Sequence, residues 1–348
     1  MPSLPQATDA PQPSGLPAKI EAQRRLDALA KPMGSLGRLE RLAVRLAETQ
    51  NRLDPRTGPR RLVLFAGDHG VVAEGIGPWP SDVTAAMVRT ILDGQACSSA
   101  LARTFGAEIV VVDAGSKTAE PLRHAGYRDW RAGRGTRNLA REPAMTADEF
   151  RQAWRTGERA AEEAVHAGTA VMALGEMGIG NTTPAACLAA LLTGSPAAAV
   201  VGPGAGTVPG GLERKIALVE QAVARVRLAD DPVAAMAAVA GFEIVALAGC
   251  IAAGARWGVT VVLDGFIVAA AALVARTLEP NALCTAIAAH RGSEPGHAGV
   301  LEHLGLQPFL EWDLRLGEGT GALLLLPLLD AAAALLTEVA TLAAVVGR

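Results

Sequence analysis

A single glutamate stands among glycines in Leu314-Arg315-Leu316-Gly317-Glu318-Gly319-Thr320-Gly321-Ala322. Glycine on each side opens backbone conformations closed to other residues and leaves room for a ligand to approach. The apolar run Ala322-Leu323-Leu324-Leu325-Leu326 follows at once, which places the carboxylate at the mouth of a buried element. A carboxylate partly removed from water holds its proton more tightly, and that suits proton transfer near neutral pH. The segment also reads as a solvated turn with an incidental glutamate, and these residues alone leave both readings open.

A second constellation is Leu174-Gly175-Glu176-Met177-Gly178-Ile179-Gly180-Asn181-Thr182-Thr183. It follows an apolar strand pattern and leads into an apolar helix pattern. Such a loop can turn successive N–H groups onto an anion, and the helix N-terminus adds a favourable dipole. No lysine follows the last glycine as in a Walker loop, and the G-x-G-x-x-G dinucleotide spacing is missing, so a monophosphate is the better ligand. The bland alternative is a tight strand–helix turn. Lys215 follows the cluster Gly202-Pro203-Gly204-Ala205-Gly206 and could add a charge-assisted hydrogen bond to the same phosphate; alone it would read as a solvated helix lysine.

Two further loops carry histidine: Gly67-Asp68-His69-Gly70 and His290-Arg291-Gly292-Ser293-Glu294-Pro295-Gly296-His297. A metal-dependent hydrolase using Asp68, His69, His290 and His297 is the competing chemistry, although neither loop has a ligand pair at characteristic metal spacing. No G-x-S-x-G elbow is present.

The elements that must position these loops alternate in type. Arg61 to Ala66, Glu108 to Asp113, Thr169 to Leu174, Ala199 to Gly202 and Val259 to Leu263 read as buried parallel strands. Between them lie helical segments. One is opened by the capping box Thr146-Ala147-Asp148-Glu149 and runs toward His166, one covers Gly211 to Leu228, one opens at Pro232, and one begins near Pro80-Ser81-Asp82. This alternation predicts a doubly wound parallel sheet with its ligand site beyond the carboxyl ends of the strands. Before it, Ala18 to Ala30 and Gly37 to Asn51 read as two amphipathic helices separated by Lys31-Pro32-Met33-Gly34-Ser35-Leu36-Gly37. After it, Gly321 to Val346 reads as an apolar helical segment that could pair with them. The division expected is a flexible N-terminus (1–17), a small helical domain from both chain ends (18–60 and 322–348) and a large α/β domain (61–321).

Composition narrows the partners. Half of the 348 residues are hydrophobic but only 3% are aromatic, so the core must be built from Ala, Val and Leu. A net charge of −3 without a long basic run argues against nucleic acid or an anionic membrane as partner. The apolar stretches are interrupted by Glu243, Asp264, Pro327 and Asp330 and read as buried elements rather than membrane spans. Cys97, Cys187, Cys250 and Cys284 are widely separated, which predicts buried reduced thiols and a cytoplasmic protein.

Taken together, these segments resemble the nicotinate-nucleotide–dimethylbenzimidazole phosphoribosyltransferase family over nearly the whole chain. The resemblance is carried by Lys31 to Glu40, Gly67 to Val71, Gly175 to Thr183, Gly241-Phe242-Glu243, Asp264-Gly265-Phe266 and Arg315 to Gly321. One departure stands out. The family loop reads His-Arg-Ser-x-Glu-Pro-Gly-His, whereas here Gly292 replaces the serine and Ser293 follows, so its phosphate contact would rest on backbone N–H groups or on the shifted hydroxyl. The resemblance implies a Rossmann-like large domain, a small helical domain and a homodimer. It implies transfer of phosphoribose from nicotinate mononucleotide to 5,6-dimethylbenzimidazole, with no cofactor and no metal. By the same resemblance Glu318 is the catalytic base. Glu176, Gly178, Gly180, Lys215, Gly265 and Ser293 hold phosphate and ribose, and Ser81 and Leu316 line the pocket for the aromatic base.

Overall fold

Apolar runs supply the long strands of a six-stranded, wholly parallel sheet in the computed structural model, which describes residues 17–119, 121–226 and 231–347. All but Pro17 of the expected flexible N-terminus, and the last two residues of the helix expected to reach Leu228, lie outside the described residues. The strands are β1 (Arg60–Gly67), β2 (Ala107–Gly115), β3 (Tyr127–Asp129), β4 (Val171–Met177), β5 (Thr260–Leu263) and β6 (Ala286–Ala288). Their spatial order is β3-β2-β1-β4-β5-β6. Chain order therefore reverses between β1 and β4, the switch point at which such sheets open a crevice beyond their carboxyl ends.

Four of the five expected strands are present, and two corrections arise. Ala199 to Gly202 is not a strand, because Ala197–Val200 forms a single helical turn behind Pro196. The edge strands β3 and β6 went unforeseen: at three residues each, they are too short to show a period.

Side chains alternate between the two faces of each strand, and both faces are buried. On one face Val63, Phe65, Val112, Met172 and Leu174 pack under the helices Ala147–His166, Phe242–Trp257 and Phe266–Leu278. On the other, Leu62, Val171, Ala173, Val262 and Ile287 share a core with helices Ala18–Asp27, Arg38–Gln50 and Thr320–Thr337. The two chain ends thus meet on one side of the sheet. Helix Thr320–Thr337 is long and apolar enough to cross a membrane, and half of its apolar window is buried inside the protein. The apolar segment at the C-terminus is broken after Thr337 and resumes at Leu342–Val346.

The capping box is formed: Thr146 accepts from the Glu149 N–H at 3.2 Å, and Glu149 accepts from the Thr146 N–H at 2.7 Å. The helix it opens crosses Phe242–Trp257 at very close range. A Cβ added to Gly157 would lie 1.8 Å from the Ala246 carbonyl oxygen, and one on Gly249 would lie 2.2 Å from that of Trp154. Gly157→Ala should therefore cost about 3 kcal/mol, the upper part of the ordinary overpacking range, because the obstacle is backbone. Urea denaturation of the variant against wild type measures it.

Candidate active site

The carboxyl ends of β4, β5 and β6 open into one cavity of about 520 Å³. Its wall includes Glu176 and Met177 from β4, Gly178, Ile179, Asn181 and Thr182 after it, Gly265 and Phe266 after β5, and His290 and Gly292 to Glu294 after β6; Leu314 to Glu318 close it. Apolar side chains dominate one side, where Trp79, Val83, Met87 and Leu316 could clasp a flat ring. A smaller cavity of about 70 Å³ adjoins it, lined by Gly178, Gly180, Thr182 and Lys215.

Three consecutive residues, Gly317, Glu318 and Gly319, take positive φ values of 82°, 59° and 76°. Glutamate rarely adopts that conformation, and here close packing on both sides enforces it. A Cβ on Gly317 would lie 2.5 Å from Glu176 Oε1, and one on Gly175 would lie 2.6 Å from the Gly319 nitrogen. The missing side chains let the turn press onto β4, which brings Glu318 and Glu176 into the same cavity. Asp264 locks the turn, accepting from the Gly319 N–H at 3.0 Å and the Ala322 N–H at 3.1 Å. It thereby satisfies two free donors at the start of helix Thr320–Thr337.

Burial sets the proton affinities. Glu318 is held above the usual carboxylate range by desolvation and by Asp264, against a hydrogen bond from Ser98 at 3.0 Å. Glu176 is pushed up to about 8, first by burial and then by Asp264, Glu243 and Glu318, with the Asn181 side-chain amide opposing. That shift favours the protonated form near neutral pH, which could donate to a hydroxyl. Lys215 is brought down to about 8 by burial. Its Nζ donates to Thr182 Oγ1 at 2.7 Å and to the Gly202 carbonyl at 2.8 Å, which leaves one of its three donors for a ligand.

The cavities thus bring together Glu318, Glu176, Gly178, Gly180, Lys215, Gly265, Ser293 and Leu316. Ser81 is the exception among the expected site residues. Helix Asp82–Leu92 turns Val83 and Met87, four residues apart, toward the cavity, and Ser81 precedes it off that face. In the β6 loop the Gly292 N–H is used by His297 Nδ1 at 2.9 Å, and the Ser293 N–H by the Leu314 carbonyl at 3.1 Å. With these two N–H groups committed within the protein, the Ser293 hydroxyl is the contact that Gly292 and Ser293 can still offer. A Cβ at 292 would approach His297 Nδ1 to 3.1 Å and the Leu314 oxygen to 3.2 Å, so glycine fits this version of the loop.

The histidines of the two loops have other neighbours than a shared metal position, although His290 and His297 also line the cavity. His69 Nε2 lies 2.9 Å from Glu243 Oε1, with both side chains fully buried, and Asp68 accepts from the Lys117 N–H at 2.7 Å. His290 and His297 meet edge to face, and burial holds His297 down to about 3. Among the described residues no three His, Cys, Asp or Glu side chains gather as a metal site, so the hydrolase reading gains no support. Ser98, Asn181 and Asp264 were not foreseen as site residues. Asn181 and Asp264 sit inside the loop motifs, whereas Ser98 lies in an ordinary helix start with no local signal.

A phosphoribosyltransferase family model matches residues 12–346. A nicotinate-nucleotide–dimethylbenzimidazole phosphoribosyltransferase of Pseudomonas putida is 46% identical over 336 residues, 96% of this chain and 95% of that one. The chain belongs to this phosphoribosyltransferase family. An enzyme of the same name from Chloroflexus aurantiacus is 45% identical over 327 residues, 94% of this chain and 93% of its own. The crystal structure of the enzyme of that name from Thermus thermophilus superposes with a TM-score of 0.90 at 43% identity, covering 95% of this chain and 98% of that one. Membership at this level accords with the parallel α/β architecture described above.

Proposed function

We propose that this protein transfers the 5-phosphoribosyl group of nicotinate mononucleotide to 5,6-dimethylbenzimidazole, giving α-ribazole 5′-phosphate and nicotinate. The observation that carries the mechanism is the pairing of one buried, glycine-flanked carboxylate with an apolar cavity beside a glycine loop and a buried lysine. Nicotinate departs from ribose C1′ as a neutral ring nitrogen, so the leaving group needs no acid. Glycoside cleavage, by contrast, usually needs two carboxylates because its leaving oxygen must be protonated. One base is enough here: as one benzimidazole nitrogen attacks C1′, Glu318 takes the proton from the other. Attack opposite the leaving ring converts a β-nucleotide into an α-product.

The remaining residues divide the nucleotide between them. Gly178, Gly180 and Lys215 hold the 5′-phosphate, Glu176 and Gly265 hold the ribose, and the Ser293 hydroxyl closes over the phosphate. Leu316 packs on the benzimidazole, with Trp79, Val83 and Met87 completing that wall. The terminal helical segments (18–60 and 322–348) act as a small domain beside the large one (61–321). A cytoplasmic homodimer completes the reading. The four unpaired cysteines fit a reducing compartment, although Cys97 and Cys284 are exposed rather than buried as expected. Exposed Met33, Leu36, Leu342 and Val346 on the terminal segments fit self-association.

Incubating purified protein with nicotinate mononucleotide and a panel of aromatic bases, with mass spectrometric identification of the ribotide, tests the function. The expected result is an α-ribotide of dimethylbenzimidazole with one nicotinate released per turnover. No nicotinate release with any base would leave a nucleotide-binding protein instead.

A further inference from the structure

Glu318 is held from outside its own loop. Helix Cys97–Thr104 starts beside it, and there Ser98, itself fully buried, donates its hydroxyl to Glu318 Oε2 at 3.0 Å. Its neighbours in that turn do other work or none here: Ser99 donates to the Ile91 carbonyl, and Cys97 is exposed. Among the described residues only Ser98 hydrogen-bonds this carboxylate. The ionisable groups around it are unhelpful to a base. Asp264 at the end of β5 disfavours a second negative charge there, and His290 stands 3.5 Å from Asp264 rather than beside Glu318.

We infer that Ser98 is the positioning residue of the catalytic base, occupying Oε2 so that Oε1 is the oxygen that accepts the benzimidazole proton. The role rests on the assignment of Glu318 as the base. Physically, a hydroxyl aimed at Oε2 bonds the ionised form more strongly than the neutral one, and the ionised form is the one a base must start from. The Ser98 main-chain N–H acts in the same direction. The same bond fixes the side-chain torsions, so the free oxygen is presented in one orientation. Ser98 touches no substrate in this arrangement; it acts through Glu318.

Ser98→Ala removes one oxygen from a buried position and leaves the helix start intact, so the variant should fold with a Tm close to wild type. Two readouts are compared in wild type, Ser98→Ala and Ser98→Thr. One is the acidic limb of kcat/KM for the benzimidazole. The other is the titration of the Glu318 carboxyl in 13C-glutamate-labelled protein, its resonance identified by its loss in Glu318→Gln. In Ser98→Ala both midpoints should move up by about one pH unit, the size expected for loss of one hydrogen bond to a charged group. Turnover below the limb should fall about tenfold for the same reason. Ser98→Thr, which keeps the hydroxyl, should restore both. A carboxyl midpoint that stays in place in Ser98→Ala overturns the role of Ser98. A carboxyl midpoint that moves while the kinetic limb stays overturns Glu318 as the base, and this role with it.

Discussion

Glu318→Gln should retain the fold and nucleotide binding and lose turnover by on the order of 10²–10⁴, the usual contribution of a positioned general base. The substitution keeps the shape of the side chain and leaves an amide oxygen to accept from Ser98, so the turn held by Asp264 persists. What it removes is the only carboxylate of the loop that can take the benzimidazole proton. The pH profile supplies a second criterion. Because burial and Asp264 hold Glu318 above the usual carboxylate range, wild-type kcat/KM should rise with pH through that elevated value as the base ionises. In Glu318→Gln this acidic limb should vanish. Steady-state release of nicotinate from pH 5 to 9 measures both effects, and near wild-type activity in the variant would remove Glu318 from the mechanism.

Lys215→Met should raise the KM for nicotinate mononucleotide by about 10–100-fold, with a smaller effect on kcat. A hydrogen bond to a charged group is worth about 1.5–3 kcal/mol, and each 1.4 kcal/mol is tenfold in affinity. Methionine fits a site where a carboxylate would be stranded, since Lys215 is only 3% exposed. The pH dependence distinguishes this role from a structural one. Burial brings Lys215 to about 8, so its charge is present below that pH and lost as pH rises through it. Phosphate binding favours the charged form, so the wild-type KM should climb above pH 8, while the variant's already high KM should stay flat there. An unchanged KM in Lys215→Met would place the phosphate elsewhere.

Much of this site is readable from sequence because its parts are contiguous. Gly178, Gly180 and Asn181 fall in one strand-to-helix loop, and Gly317, Glu318 and Gly319 in one turn, so residue type and spacing carry the signal. The long strands were legible for a related reason: buried parallel strands are apolar on both faces and end in turn residues. Ala199 to Gly202 misled because a short Ala-Val run looks the same as strand or as helix, and Pro196 decided for helix. Ser81 lies apart from the cavity wall, and its position before a helix says nothing about which face of that helix meets the cavity.

The amino-acid sequence by itself determined the alternating α/β plan, the glycine loop and the carboxylate among glycines, because each depends on neighbours in the chain. Only the tertiary structure decided that Glu318 answers to Ser98 and Asp264, that burial raises the proton affinity of Glu176, and that His69 lies against Glu243. These are properties of proximity and desolvation, and they arise where segments some 50 to more than 200 residues apart are packed together beyond the ends of the sheet. That geometry gives a glutamate in a turn a proton affinity set by the fold.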